Sequence, residues 1–337
     1  MTVTISVLDR SRATLGPALR AAVERLDPTC RLAASYHLGW CDPDGNPTPD
    51  GNGGKALRPS LALLSAAAVG APAAVGMPGA VAVELIHNFS LIHDDLLDGD
   101  LERRHRRTVW AIWGPATAIL TGDALVALAH EVLLEAESPG RDRAGVLLAA
   151  TTRELTRGQV QDLAFEKRHD VTLAECLDMT AGKTGSLLAA SAAIGAVLAG
   201  ADTATVDALT SFGHQFGLAF QLVDDVLGIW GDPAVTGKPV HSDLRSRKKS
   251  LPVTWALTRD GYAPRMREFL HGTDEPDHAT LVDVAAMLES AGARLWALSE
   301  AARRMELAER ALSTVDLHPA ARADMVTLAR YVVERDS

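Results

Sequence analysis

Aromatic residues are scarce in this chain of 337 residues, which contains only six Trp, three Tyr and six Phe. Long β-branched or aromatic runs, which favour strands, are also rare, whereas Ala and Leu, both strong helix formers, are abundant. Because 47% of the residues are apolar, the chain can bury a large core and is not a disordered protein. The composition therefore predicts an all-α protein.

Basic residues are outnumbered by acidic ones, with 33 Lys and Arg against 43 Asp and Glu, and the formal net charge is −10. This balance argues against a general nucleic-acid binder, which carries a net basic face, and against broad attraction to anionic lipids. The three cysteines are widely spaced, at Cys30, Cys41 and Cys176, as is usual in a reducing compartment. We therefore expect a cytoplasmic protein that binds no nucleic acid.

No signal peptide is predicted, because the first residues lack a basic segment followed by an apolar run. Two uncharged stretches, 59–83 and 185–201, approach the length of a membrane span. Prolines and glycines interrupt the first stretch, and the second is short and rich in Ala, Gly and Ser. Both are interpreted as buried helices, so no stable membrane insertion is expected.

Helical periodicity recurs along nearly the whole chain. Helices are predicted at about 12–27, 55–70, 78–98, 110–136, 141–168, 172–182, 184–199, 203–229, 251–258, 279–292, 294–313 and 319–334. Segments dense in Gly, Pro and charge predict loops at 41–54, 231–250 and 271–278. Since no repeat and no linker is visible, we predict a single domain over residues 1–337, with a C-terminal helical extension at about 260–337.

Carboxylates cluster at the ends of two apolar helical segments. Asp94, Asp95 and Asp98 follow the first segment, and positions 94 and 98 are one helical turn apart. Such a pair repels itself near the negative end of a helix dipole unless a cation offsets the charge. A solvated acidic helix end is the simple alternative for this cluster alone.

The second cluster, Asp224 and Asp225, makes that alternative much weaker, because it also follows an apolar helical run. If the two helices that end in these aspartate clusters face each other across a cavity, they would hold several Mg²⁺ ions and bind a diphosphate between them.

Cationic side chains lie near these clusters in the sequence. Lys55 and Arg58 follow flexible glycines at a predicted helix start, where free N–H groups also favour anions. The remaining candidates for an anion site are Arg103, Arg104, Lys183 with Thr184, Lys238 and Lys248.

Six motifs in order resemble the polyprenyl synthetase family of trans-isoprenyl diphosphate synthases. They are GGKALRP, DDLLD followed by ERR, GQVQDL, GKTGSL, FQLVDD and GKPVHSDLRSRKKSLP, and they cover about 53–255. The resemblance implies an all-α, isoprenoid synthase-like bundle around a deep central cavity, usually in a homodimer. It also implies Mg²⁺-assisted ionisation of an allylic diphosphate and its condensation with isopentenyl diphosphate to a longer trans-prenyl diphosphate.

The resemblance also implies a role for each candidate residue. The metal ligands on the allylic diphosphate would be Asp94, Asp95, Asp98, Asp224 and Asp225. The same diphosphate would be held by Arg103, Lys183, Thr184, Gln221, Lys238 and Lys248. Isopentenyl diphosphate would be bound by Lys55, Arg58, His87 and Arg104. For His87, a hydrogen-bonded core histidine is the alternative.

Three positions depart from the family pattern. Gly228 stands where the second cluster has its third aspartate, and we do not assign Asp232 in its place. Arg107 stands where proline is frequent, and the first cluster lacks the two-residue insertion found in many bacterial members.

Product length in the family depends on side-chain bulk below the allylic tail. Phe89 lies five residues before Asp94 and is followed by the small Ser90, an arrangement that resembles geranylgeranyl (C20) synthases more than farnesyl (C15) synthases. We therefore expect a C20 product, with C15 next, while Phe89 as an ordinary core residue is the alternative.

Two other functions remain open at the level of sequence. A class I terpene cyclase also ionises a diphosphate with Asp-bound Mg²⁺, but it needs no second-substrate set such as Lys55, Arg58 and His87. A non-catalytic partner subunit of a prenyl synthase typically loses an aspartate cluster, and only Gly228 points in that direction.

Overall fold

The computed structural model describes residues 2–48, 56–232 and 240–334, with side chains from residue 8 onward. The described residues form two compact units, each assembled from three stretches of the chain. The first unit comprises the described parts of Met1–Thr152, Ala190–Thr210 and Val315–Leu328. The second comprises those of Arg153–Ala189, Ser211–Thr314 and Ala329–Ser337. A single domain over residues 1–337 remains a prediction.

The secondary structure is almost entirely helical, which confirms the all-α prediction. The helices are α1 (Thr2–Val23), α2 (Pro28–His37), α3 (Leu57–Ala68), α4 (Met77–Leu97), α5 (Val109–Leu134), α6 (Arg141–Lys167), α7 (Leu173–Thr180), α8 (Ser186–Leu198), α9 (Thr203–Trp230), α10 (Ser242–Arg245), α11 (Leu251–Ala256), α12 (Ala263–His271), α13 (His278–Ala291), α14 (Ala293–Leu312) and α15 (Pro319–Glu334). A 3₁₀ turn covers Ala73–Gly76, and a π-helical turn covers Ala181–Gly185. Two short strands, β1 (Glu102–Arg103) and β2 (Arg106–Arg107), pair in an antiparallel hairpin.

The core of the first unit lies around α4, which packs against α3 and α5. Leu61 and Ile86 are completely buried there, because α3 and α4 present apolar side chains on the faces that meet. Helix α5 is kinked at Gly114 (φ 85°, ψ 168°), one residue before Pro115. Proline lacks an N–H and its ring clashes with the preceding turn, so the helix predicted as unbroken over 110–136 changes direction here.

The core of the second unit surrounds the short helix α11, which contacts α7, α12, α13 and α14. Val253 and Ala256 are fully buried, and the rings of Trp255 and Trp296 stack with their centroids 5.6 Å apart. Because α11 is packed on so many sides, its first residues are held in a fixed position.

Several helices differ from their predicted bounds. Helix α1 begins at Thr2 rather than near residue 12, and α2 and α12 lie in segments where no helix was predicted. Helix α10 lies inside the predicted loop 231–250. The helices predicted at 172–182 and 184–199 are joined by the π-helical turn, so the chain does not leave the helical path between them.

Three helical stretches of the described chain are long and apolar enough to cross a membrane by length and composition alone. They are Ala73–Leu97, Val109–Leu134 and Leu173–Leu198, with 61%, 39% and 78% of their most apolar windows buried inside the protein. Burial in the core accounts for the apolar composition of the first and third stretches. The middle one, helix α5, keeps more of its apolar surface exposed.

Candidate functional site

The first aspartate cluster lies at the C-terminal end of α4. The helix ends at Leu97, and the N–H of Asp98 donates to the carbonyl of Asp94 at 2.8 Å. Asp94 and Asp98 are therefore stacked one turn apart, as the spacing predicted, with Asp94 half-buried and Asp98 exposed. The cluster thus combines two accessible carboxylates with the buried carboxylate of Asp95.

The Asp95 carboxylate is only partly satisfied by the protein. Its Oδ1 accepts a hydrogen bond from Arg103 Nε at 2.5 Å, whereas Oδ2 is buried and has no hydrogen-bond partner among the described residues. Burial raises the pKa of Asp95 to about 6, although the charge of Arg103 opposes this effect. A buried carboxylate oxygen without a donor is a position that a bound cation would satisfy.

The β1–β2 hairpin places several arginines beside Asp95. Its turn residues Arg104 and His105 have positive φ values of 52° and 61°. The guanidinium of Arg106 lies over the Tyr36 ring, 4.0 Å from its centroid, and donates to the Tyr36 carbonyl at 2.9 Å. A small pocket of about 30 Å³ is lined by Asp95 and by all four arginines of the hairpin segment, residues 103, 104, 106 and 107. The guanidinium of Arg103 contacts Asp95, and the charge of Arg104 acts on the same carboxylate, so positive charge at this pocket favours anions.

The departure at Arg107 has a structural explanation. The carbonyl of Arg107 accepts a hydrogen bond from the Tyr36 hydroxyl at 2.8 Å, and its guanidinium donates to the carbonyl of Ala111 at 2.6 Å. Arg107 therefore connects the hairpin to α2 and to the first turn of α5.

A second group of charged residues in the first unit joins α3 to α4. Arg58 Nη1 and His87 Nε2 lie 3.3 Å apart, and the buried Arg58 Nε has no hydrogen-bond partner among the described residues. Burial lowers the pKa of Arg58 to about 10, while the charge of Glu84 opposes this shift. Burial, followed by the charges of Arg58 and Arg104, lowers the pKa of His87 well below its ordinary value. His87 is therefore neutral at pH 7 and can donate or accept a hydrogen bond.

In the second unit, the two aspartates of α9 differ in their surroundings. Asp224 is exposed, whereas Asp225 is 3% exposed and uses both carboxylate oxygens within the protein. Gln221 Nε2 donates to Oδ1 and the N–H of Leu251 donates to Oδ2, both at 2.9 Å. Asp225 thereby fixes the start of α11 against α9, and burial raises its pKa to about 6.

The π-helical turn positions two further candidate residues. Lys183 Nζ donates to Asp162 Oδ2 at 2.6 Å, and Thr184 Oγ1 donates to Gln221 Oε1 at 2.8 Å. Burial alone would lower the pKa of Lys248, but nearby carboxylates, with Asp225 foremost, raise it above its ordinary value. Lys183, Thr184, Gln221, Asp225 and Lys248 line one pocket of about 40 Å³.

Some of the predicted residues line two charged pockets: Asp95, Arg103 and Arg104 in the first unit, and Lys183, Thr184, Gln221, Asp225 and Lys248 in the second. Asp94, Asp98, Arg58, His87 and Asp224 do not line these two pockets. Lys55 and Lys238 lie outside the described residues. Phe89, predicted to control chain length, is half-buried and meets the His93 ring edge-on at 4.8 Å between centroids. Ser90 Oγ donates to the His87 carbonyl at 2.8 Å.

Sequence reasoning did not assign roles to three residues that lie beside predicted site residues, namely Asp162, Glu84 and Asn88. Asp162 pairs with Lys183, and Asn88 Nδ2 donates to Glu84 Oε1 at 3.2 Å beside Arg58. Asp162 belongs to the GQVQDL motif, so the motif could have identified Asp162 as a candidate site residue. Glu84 lies one turn before Asn88 in an otherwise apolar segment, where a buried charge needs a partner.

Fold and site together define a diphosphate-processing isoprenoid synthase. The chain belongs to the polyprenyl synthetase family, whose family model matches residues 50–288. It is therefore an enzyme, a trans-prenyl diphosphate synthase, with the all-α fold of isoprenoid synthases.

Two curated relatives come from Mycobacterium tuberculosis. A (2E,6E)-farnesyl diphosphate synthase is 50% identical over 99% of this chain and 94% of its own. A geranylgeranyl diphosphate synthase is 41% identical over 98% of this chain and 94% of its own. Among solved structures, a polyprenyl synthetase from Streptomyces coelicolor A3(2) is 52% identical and superposes with a TM-score of 0.93, covering 97% of this chain and 99% of the other.

Proposed function

We propose that this synthase extends an allylic diphosphate with isopentenyl diphosphate to give geranylgeranyl diphosphate, with Mg²⁺ bound by both aspartate clusters. The observation that carries the proposal is the pairing of one buried aspartate of each cluster with cationic side chains in its own unit, Asp95 with Arg103 and Asp225 with Lys248. Cations beside carboxylates suit a bound diphosphate together with its counterions.

The donor set fits Mg²⁺. Candidate ligands Asp94, Asp95, Asp98 and Asp224 offer only carboxylate oxygens, which a hard divalent cation prefers. The unpartnered Asp95 Oδ2 is an oxygen that a cation would satisfy. Asp225 was also predicted as a ligand, and with one protein donor on each oxygen it would act mainly by holding Gln221 and α11 in place. When bound, Mg²⁺ supplies positive charge that stabilises the departing diphosphate.

In the first unit, Arg58, His87 and Arg104 would bind the diphosphate of isopentenyl diphosphate. The Nε of Arg58 has no hydrogen-bond partner among the described residues, and the charge of the buried Glu84 carboxylate favours the charged form of Arg58. Arg103 would serve the allylic diphosphate, because its Nε already lies on Asp95.

In the second unit, Lys183, Thr184, Gln221 and Lys248 would hold the allylic diphosphate. Their cations favour the negative charge that grows on the leaving group as the allylic C–O bond ionises. The double bond of isopentenyl diphosphate then attacks the allylic cation, and a proton is lost to the released diphosphate. Burial around these residues excludes water, which would otherwise quench the cation.

The proposed C20 product length is supported by one pair of side chains. The bulky Phe89 followed by the small Ser90 resembles the arrangement in geranylgeranyl synthases and therefore favours C20. Farnesyl diphosphate (C15) is the second candidate, because the relative that is 50% identical is named as a farnesyl diphosphate synthase.

We also propose that the enzyme acts in the cytoplasm as a homodimer and does not insert into membranes. Exposed apolar side chains on α5, Ile119 at 44% and Leu120 at 60%, support association through this helix. Light scattering during size-exclusion chromatography is expected to give twice the mass of one chain, and a monomer would contradict the dimer proposal.

The decisive experiment for the function incubates the purified chain with labelled isopentenyl diphosphate and each allylic primer of 5, 10 or 15 carbons. With Mg²⁺ we expect a prenyl diphosphate of 20 carbons, identified by chromatography after phosphate removal. Asp94→Asn is expected to reduce turnover at least roughly a hundredfold. Geranylgeranyl diphosphate supplied alone is expected to give no hydrocarbon. Failure to elongate any primer would contradict the proposal.

A further inference from the structure

Ser250 immediately precedes α11 and has the backbone conformation of a helix N-cap residue. Its φ of −69° and ψ of 168° are extended, as is typical of the residue before the first helical turn. A serine in this position usually accepts a hydrogen bond from a backbone N–H of the first turn, but the Ser250 side chain makes no such bond. The hydroxyl of Ser250 is therefore not used to cap the helix.

The start of α11 is held by other groups. The N–H of Leu251 donates to Asp225 Oδ2 at 2.9 Å, and the next residue, Pro252, has no N–H to cap. The backbone N–H and the hydroxyl of Thr254 both donate to the carbonyl of Ser250, at 2.9 and 3.0 Å. Because these bonds fix the backbone on both sides of Ser250, they also fix the place from which its side chain extends.

The Ser250 hydroxyl is buried without a partner. The residue is 1% exposed, and its Oγ makes no hydrogen bond with any of the described residues. Bulk water does not reach a group buried so deeply, so the unpaired hydroxyl costs free energy unless a bound molecule pairs with it. An unpaired hydroxyl on a fixed backbone therefore indicates a place where a ligand supplies the partner.

Ser250 lines the pocket of about 40 Å³ in the second unit. The residues proposed to hold the allylic diphosphate, Lys183, Thr184, Gln221 and Lys248, line the same pocket. The hydroxyl of Thr184 already donates to Gln221 Oε1 at 2.8 Å, whereas the Ser250 hydroxyl has no acceptor among the described residues. Diphosphate oxygens accept hydrogen bonds and donate none when ionised, so a hydroxyl that lacks an acceptor is the complementary group.

The size and charge of the pocket favour an anion as the partner. A space of about 40 Å³ admits a water molecule or part of a phosphate group. The two lysines among the lining residues favour the phosphate over the water.

We propose that the Ser250 hydroxyl donates a hydrogen bond to an oxygen of the allylic diphosphate and is a further substrate-binding residue of this pocket. The proposal rests on the proposed function, because it adds a donor to the site assigned there to that diphosphate. It also gives a role to the bond between Asp225 and Leu251: a cap supplied from α9 leaves the serine hydroxyl for the ligand.

The first test measures binding without turnover. Isothermal titration calorimetry follows inorganic pyrophosphate binding to the full chain with Mg²⁺, with isopentenyl diphosphate in excess to occupy its own site. Ser250→Ala removes the hydroxyl, and we expect pyrophosphate to bind roughly tenfold to a hundredfold more weakly. Ser290→Ala, the same change at an exposed position of α13, is the matched control and is expected to bind as wild type.

Urea unfolding of the chain without ligand separates binding from a structural role. Because the hydroxyl is unpaired without ligand, Ser250→Ala is expected to leave the free energy of unfolding unchanged or to raise it. If Ser250 only caps α11 or holds a buried water molecule, Ser250→Ala instead lowers the free energy of unfolding and leaves pyrophosphate binding unchanged. Unchanged pyrophosphate binding in Ser250→Ala would overturn the proposal.

The second test compares the two substrates during turnover. Ser250→Ala is expected to raise the KM of the allylic primer roughly tenfold or more, while the KM of isopentenyl diphosphate stays within about twofold of wild type. An equal rise in both KM values would indicate a general disturbance of the enzyme and would also overturn the proposal.

The behaviour of the wild type distinguishes failure of this assignment from failure of the proposed function. If wild type binds pyrophosphate and elongates a primer while Ser250→Ala does both equally well, only the Ser250 assignment fails. If wild type neither binds pyrophosphate nor forms product, the proposed function fails and the assignment fails with it.

Discussion

The acidic residues show how far spacing alone specifies a site. The interval between Asp94 and Asp98 predicted two carboxylates stacked at a helix end, and the structure has them there. The same reasoning treated Asp225 as equivalent to Asp224, yet one is hydrogen-bonded on both oxygens and the other is exposed. Spacing could not separate them, because the donor on Asp225 Oδ2 is the backbone of Leu251, far along the chain.

Phe89 is the residue whose replacement reports on product length. If its ring closes the bottom of the allylic pocket, Phe89→Ala should lengthen the product by one or more five-carbon units, measured by chromatography of dephosphorylated products. Its edge-on contact with His93 would be lost as well, so thermal unfolding serves as the control for stability. An unchanged product with lower stability would identify Phe89 as an ordinary core residue.

His37 makes the stability of the protein depend on pH. Burial, followed by the charges of Arg103, Arg104 and Arg106, lowers the pKa of His37 to about 3. The unfolded chain protonates histidine near ~6.5, so between these values it binds more protons than the folded state. The free energy of unfolding therefore falls as the pH falls from ~6.5 toward 3, by up to ~1.4 kcal/mol per pH unit for this residue.

His37→Asn should remove that contribution from the pH profile. Urea unfolding of both proteins at pH 7, 6 and 5 measures it, and the wild type is expected to lose more stability on acidification than the variant does. The raised pKa values of Asp95 and Asp225 act in the opposite direction in both proteins, so they cancel in the comparison. If the stability of the two proteins changed in parallel with pH, the result would contradict the contribution assigned to His37.

Among the helices, the clearest difference from the sequence prediction is the π-helical turn between α7 and α8. Two separate helices were predicted at 172–182 and 184–199, whereas the chain stays helical between them through a π turn, in which hydrogen bonds span five residues instead of four. This π turn accompanies the contacts of Lys183 with Asp162 and of Thr184 with Gln221. Hydrophobic periodicity cannot specify a π turn, because the cause lies in tertiary contacts.

Gly158 on α6 is the partner that this turn requires. A Cβ atom at 158 would lie 2.8 Å from the backbone carbonyl carbon of Gly182, so Gly158→Ala must displace the turn. We expect the free energy of unfolding to fall by about 1–3 kcal/mol. Gly145→Ala on the same helix is the matched control, since its Cβ would only touch Leu134 at 3.6 Å. Equal urea midpoints for the two variants would contradict this account.

The helices that the sequence did not predict are short and weakly periodic. Helix α2 nevertheless carries a start signal: the Asp27 side chain accepts from the backbone of Thr29 and Cys30, and Pro28 follows at the first helical position. Helix α12 likewise begins with a proline in its first turn. The capping residues and prolines at these helix starts were visible in the sequence. The amphipathic pattern that follows them was too short to predict a helix.

For the whole molecule, composition was sufficient to predict the class of fold. Many Ala and Leu residues and few aromatics excluded a large sheet, and six motifs in order identified the family that the comparisons establish. The two compact units were not predicted, because each gathers three separated stretches of chain and no change in composition marks their boundaries. Such divisions arise from packing between remote helices.

The central claim is that each aspartate cluster binds divalent metal ions together with a diphosphate. Anomalous diffraction from crystals of the full chain grown with Mn²⁺ and inorganic pyrophosphate tests this claim directly. The account predicts Mn²⁺ ions on Asp94 or Asp98 and on Asp224, each in contact with pyrophosphate. Crystals with no manganese at one of the two clusters would contradict it.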